Sequence, residues 1–164
     1  MGKDLLWNFS LSDLFSIKQI IMKLSLLIFG ILITQIGFCC SCQPLSKIDD
    51  QEYDKYDLIV SGTILKITDK GYERTVLIKV DTYYKGTQSQ KTIKIMSPSK
   101  EGICAISPKV GEHWLIYAAA SGKIFSTNLC TRTRTMNPKA WDYKKDNLRE
   151  DLEFLEKKIK NTLS

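Results

Sequence analysis

The stretch RTVLIKVDTYYKG, residues 74–86, decides the fold class. Val76, Ile78, Val80 and Tyr84 share one parity, while Thr75, Lys79 and Asp81 fall on the other. Alternation at period two, in a segment rich in β-branched residues, is the pattern of a strand with one face buried. Lys85-Gly86 then offers a turn.

Working outward, DLIVSGTILKI (57–67) reads as a strand in which Gly62 marks a candidate bulge or barrel bend. KTIKIMS (91–97) alternates through Ile93 and Ile95 and stops at Pro98. HWLIYAAA (113–120) and KIFSTNLC (123–130) are separated by Ser121-Gly122, a hairpin signal. Five strands with short connections predict a mainly β fold, a small closed five-stranded barrel of residues 40–136 with flanking helices. One short helix is expected in SKIDDQEYDKY, with Ser46 and Asp49 in capping positions. A second is expected over residues 137–164, entered through Asn137-Pro138. Its stripe of Trp141, Leu148, Leu152, Leu155 and Ile159 predicts packing on the barrel in preference to a coiled coil.

The N-terminal part of the 164-residue chain has a different character. Lys23 precedes the apolar run LSLLIFGILITQIGF (24–38), which is shorter than the ~20 residues a spanning helix needs. With small residues before Cys40, this is the order of a secretory signal peptide, residues 1–39, cleaved after Cys39. MKLSLLIFG from Met22 suggests that translation starts there. No stable membrane span is expected to remain after cleavage. The mature chain would keep 21 of the 24 basic and 16 of the 18 acidic residues, a net charge of +5. That spread-out surplus favours solubility and carries little more.

Cleavage also changes the cysteine arithmetic. Removing Cys39 leaves Cys40, Cys42, Cys104 and Cys130, an even number, and export to an extracellular, periplasmic or cell-surface location favours two disulfides. Three connectivities are open on the residues alone.

Other chemistries are poorly served. The sequence has no GxSxG, HExxH or P-loop pattern, so an enzyme is not expected, nor a cofactor or a metal ion of its own. Its one histidine, His113, is expected on the barrel surface. TRTRT (131–135) could suggest single-strand nucleic-acid binding, but an exposed strand end is the expected reading and no nucleic-acid partner is expected.

CSCQP (40–44), YDLIVSGTIL, TVLIKVDTYYKG and GICAISPKVGEHWLIYAAASGKIFSTNLCTRT follow in an order that resembles the netrin-like domain of the tissue inhibitors of metalloproteinases. The resemblance runs from Cys40 to about Thr133. It implies an OB-fold barrel and the pairings Cys40–Cys104 and Cys42–Cys130. It further implies that the clamped terminus enters the cleft of a zinc metalloprotease. There the α-amine and carbonyl of Cys40 would chelate the enzyme's zinc, in the position that catalytic zinc keeps open. Ser41 would point into the pocket beside the metal, and Cys42, Gln43 and Pro44 would lie along the cleft as a substrate strand does. An unperturbed α-amine titrates near 8, so its neutral form is accessible. The chain departs from the family pattern in Ser41 for the commoner Thr and in Gln43 for an aliphatic residue. It also lacks the family's third bridge and its second, disulfide-rich domain. A monomer is expected. The alternative is a secreted or cell-surface binding or scaffolding module without inhibitory activity, since netrin-like domains serve both ends.

Overall fold

The computed structural model describes residues 17–27, 41–87, 90–99, 104–140 and 143–163. The chain divides into two compact units, Met1–Phe38 and Cys39–Ser164. In the first, residues 17–27 form helix α1, whose Ile20, Ile21, Met22, Leu24, Leu26 and Leu27 are all more than half exposed. Most of the apolar run assigned to the leader, residues 28–38, lies outside the described residues, as do Cys39 and Cys40. Among the described residues no helix is long and apolar enough to cross a membrane.

The second unit is mainly β. It contains α2 (Asp50–Asp54), β1 (Leu58–Lys70), β2 (Glu73–Lys85), β3 (Thr92–Pro98), β4 (His113–Ser121), β5 (Ile124–Ser126), β6 (Arg134–Thr135) and α3 (Lys145–Leu163). The six strands form one mixed sheet in the order β1-β2-β3-β5-β4-β6, and β1 also pairs with β4. Five strands therefore close into a ring. The β3–β5 pairing is parallel and the others are antiparallel.

The strands expected from the sequence are present, with three corrections. The last of them, expected over 123–130, ends at Ser126, because beyond it Thr127 and Asn128 bond through their side chains and draw the chain into turns. A sixth strand, β6, was not anticipated; its two residues pair with Trp114 and Leu115. Tyr84 does not share a face with Val80. Val80 and Tyr83 pack against the core inside the ring, whereas Tyr84 packs against the outer cluster. The cause is a register shift that leaves Asp81 over between Gly62↔Val80 and Ser61↔Thr82; a second shift then leaves Tyr84 itself over between Val60↔Tyr83 and Ile59↔Lys85. One extra residue reverses the facing of everything beyond it.

Gly62 sits at the first of these shifts, as the sequence suggested. A Cβ there would run into the Lys79 carbonyl oxygen and come within 2.8 Å of Ile78 Cγ2. The close approach of β1 to β2 at the bend requires hydrogen at this position.

Two hydrophobic clusters result. Inside the ring lie Val60, Ile64, Val76, Ile78, Ile95 and Ile116, with Ile106 entering from the connection before β4. Outside it, Ile59, Leu115 and Tyr117 meet Ile48, Tyr56, Leu148 and Leu155. Strands β1 and β4 are thus buried on both faces, which is why LIV and WLIYA read as unbroken apolar runs. Helix α3 covers the outer face with Leu148 and Leu155. It starts at Lys145, not at Asn137: the Asn137 side chain caps only a turn, accepting from Lys139 N at 3.0 Å. Trp141 lies outside the described residues. Helix α2 is capped by Asp49, whose side chain accepts from Glu52 N at 2.8 Å, and not by Ser46.

Replacing Gly62 by alanine should destabilise the fold by about 1–3 kcal/mol, the cost of overfilling a packed site. A shift of the denaturant midpoint without a change of slope would show it.

Candidate functional site

Residues Ser41 to Lys47 form neither helix nor strand, and all but half-buried Cys42 are exposed. Such a segment has no ladder to hold it, so its position depends on individual anchors. The first is covalent: Cys42 is bonded to Cys130, 88 positions along the chain. This is one of the two pairings implied by the resemblance. Cys104 is also disulfide-bonded, and Cys40, its implied partner, lies outside the described residues. Cys104 Sγ is 3.5 Å from Cys130 Sγ, and the sulfurs of Cys42, Cys104 and Cys130 all lie within 4.8 Å of one another. The three cysteines engaged as disulfides leave no thiolate for a metal there.

The receiving side of this staple is built by short-range bonds. Asn128 accepts from Cys130 N through Oδ1 at 2.8 Å, and its carbonyl accepts from Thr131 N at 3.2 Å. Leu129 N donates to the Cys104 carbonyl at 2.7 Å, joining the two cysteine-bearing segments. Cys104 adopts φ 60°, a left-handed conformation that costs a residue with a Cβ roughly 1–2 kcal/mol. The bond from Leu129 helps to hold it.

The second anchor is ionic and was missed in the sequence. Arg132 Nη1 donates to the Ser46 carbonyl at 2.7 Å, at the inner end of the exposed segment. The same guanidinium donates through Nη2 and Nε to Asp151 of α3, at 2.5 and 3.1 Å from Oδ1. Arg134 Nη2 reaches the other carboxylate oxygen at 3.3 Å. Arg132 is 3 % exposed and Asp151 is fully buried. TRTRT is therefore not an exposed strand end: its two guanidinium groups point into the protein because a buried carboxylate needs them. Burial opposes the charge of Arg132, but the hydrogen bond and charge of Asp151 hold its pKa above the ordinary value. Tyr117 lies nearby, and among the described residues its buried hydroxyl makes no hydrogen bond of good geometry. Its pKa is raised by burial and then by the negative charge of Asp151.

A signal for Asp151 was present in the sequence. It stands three residues after Leu148 and four before Leu155, on the apolar face of α3. A carboxylate at such a place requires a buried cation, although spacing alone does not say which one.

Thr133 of TRTRT and Thr127 before it have a separate task. Thr133 Oγ1 accepts from Tyr117 N at 2.9 Å, and Thr127 Oγ1 donates to the Tyr117 carbonyl at 2.8 Å. Beyond the short β6, hydroxyl groups thus replace the missing ladder beside β4.

The exposed segment borders a groove of about 410 Å³, shared with Glu52, Lys55 and Tyr56 of the α2 region. Glu52 accepts from Tyr56 Oη at 2.9 Å and from Lys55 Nζ at 2.6 Å. Partial burial would raise its pKa, but the bonds from Lys55 and Tyr56 outweigh that and hold it below the ordinary value. His113, elsewhere on β4, is part-exposed, with Nδ1 3.3 Å from Asp81 Oδ2 and 3.4 Å from Thr63 Oγ1.

No protein-family model matches the chain, and a search of curated proteins finds no match either.

Replacing Cys42 and Cys130 together by serine should cost about 4–5 kcal/mol by the chain-entropy account of so long a loop. Guanidinium unfolding, with the Cys104 bridge intact, would measure it. The Glu52→Gln substitution should lower stability at neutral pH. Because the folded pKa of Glu52 is depressed, the difference from wild type should be constant above the ordinary value of 4.5 and shrink as pH falls below it. Unfolding curves across the acid range would check this.

Proposed function

We propose that the chain is the precursor of an exported inhibitor of zinc metalloproteases, built on a closed OB-type barrel of the netrin-like kind. The observation that carries the reading is the Ser41–Pro44 segment: exposed, outside regular structure, and stapled at Cys42 beside a second disulfide-bonded cysteine. A terminus held in this way loses little freedom on docking, where each newly immobilised side chain costs about 0.5–1.5 kcal/mol. The closure of β1 through β5 into a ring supports the barrel. Disulfides support an oxidising destination, and the exposed apolar side chains of α1 suit a leader better than a folded helix.

In this reading Cys40, freed by cleavage after Cys39, presents its α-amine and carbonyl to the zinc of the target. Ser41 enters the pocket beside the metal, and Gln43 and Pro44 follow the cleft. The protein contributes no metal or cofactor; the zinc belongs to the protease.

The test is to recover the exported protein, establish its first residue by intact mass, and titrate it against a panel of zinc metalloproteases. Stoichiometric inhibition is expected from the form that begins at Cys40. Acetylating that amine, or adding one alanine before Cys40, should abolish inhibition without changing the unfolding midpoint. Potency that survives either change would overturn chelation. A folded, exported protein that leaves every protease active would instead be a binding or scaffolding module.

A further inference from the structure

We propose that α3 acts as a strut that positions the exposed N-terminal segment, with Asp151 and Arg132 as its positioning residues. The inference deepens the inhibitor reading and rests on it only for its functional consequence.

The exposed segment is attached at both ends. Cys42 is fixed by its bond to Cys130. At the other end, the Ser46 carbonyl accepts from Arg132 Nη1 at 2.7 Å, and beyond it Ile48 is buried in the outer cluster. Both anchors lie within one short stretch, because Cys130 and Arg132 are two residues apart. A movement of Arg132 therefore disturbs the place where the disulfide and the polar contact together hold the segment.

What holds Arg132 is α3. Three of its hydrogen bonds run to the Asp151 carboxylate, with the shortest at 2.5 Å, and all are buried. The planar guanidinium presents one edge to Asp151 and still directs Nη1 at Ser46, a division that a lysine cannot reproduce. Arg134 completes the arrangement, with Nη2 3.3 Å from Asp151 and Nε donating to the Arg132 carbonyl at 3.0 Å. Two cations share one carboxylate. Removing Asp151 leaves like charges facing each other in a dry site, and Arg132 must move to find another partner.

A geometric task and a purely stabilising one can be separated. The double substitution Arg132→Met with Asp151→Leu exchanges the most buried two of the three charges for apolar side chains of similar size, an exchange that proteins often tolerate, and leaves Arg134 its bond to the backbone carbonyl of residue 132. It nevertheless removes the Ser46 contact. The readout is the rate at which dithiothreitol reduces Cys42–Cys130 under native conditions, followed by alkylation and peptide mass. The unfolding midpoint is measured alongside. We expect reduction about 10-fold faster than wild type with the midpoint little changed, and inhibitory potency about 10-fold lower.

An unchanged rate in a variant of unchanged midpoint would overturn the proposal. Should the double variant fail to fold, Asp151→Asn provides the same comparison. It keeps the shape but not the charge, and its reduction rate must exceed the increase that its lowered stability explains; otherwise the proposal fails. Faster reduction with unaltered potency would preserve the strut and sink the inhibitory role of the segment. A wild-type protein that never inhibits would overturn the inhibitor reading while leaving the reduction experiment decisive.

Discussion

The contact between the Arg132 guanidinium and the Asp151 carboxylate ties together the N-terminal segment, the chain after β5, and α3. Taking both charges out of water costs several kcal/mol per ion, and only dense hydrogen bonding offsets it. Each partner meets that condition. Arg132 places its third nitrogen, Nη1, on the Ser46 carbonyl, and Asp151 is shared with Arg134. Apolar contacts tolerate sliding, whereas a bidentate ion pair permits one geometry. The outer layer therefore has a defined register on the ring.

That register matters because β1 and β4 carry apolar residues on both faces. Leu58, Val60, Trp114 and Ile116 turn into the ring, and Ile59, Leu115 and Tyr117 turn out. A bare ring would expose the second set to water. The outer set is covered by α3 and the region around α2, with Tyr56 set edge-on against Tyr117 at 5.0 Å between centroids. Ring and outer helices thus form one packed body around two strands shared by both clusters.

The candidate site lies where this outer layer meets the N-terminal segment. Nothing in Ser41–Pro44 is held by regular structure, and its exposure leaves the backbone available to a partner. Preorganisation comes from the disulfide on one side and the guanidinium on the other. In the proposal made above, the helix that covers the outer face also influences the stretch to which the family resemblance assigned a binding role. A polar cluster that would be a liability for stability alone acquires, in that proposal, a reason in position.

Strand identity was legible because period-two alternation and hairpin glycines are local, whereas closure of the ring rests on the β1–β4 and parallel β3–β5 pairings, the latter made across the long connection of residues 99–112. Gly62 was legible for the same reason, since glycine within a β-branched run marks a bend. The facing of Tyr84 was not, because a bulge depends on how two strands register, and nothing within β2 announces that Asp81 is passed over. The start of α3 was misplaced because Asn137-Pro138 satisfies a local cap whether or not a helix follows. In TRTRT, alternating polar residues gave no sign that the arginines turn inward. Their partner lies 19 residues from Arg132 and 17 from Arg134, on a helix whose docking no local pattern encodes. The sequence by itself thus determined the β class, the ring-forming strands and the place of Cys42 in the exposed segment. Only tertiary structure decided which charges are buried together and which end of that segment they hold, because hydrogen-bonded ion pairing is set by distance in space and propensity by neighbours in the chain.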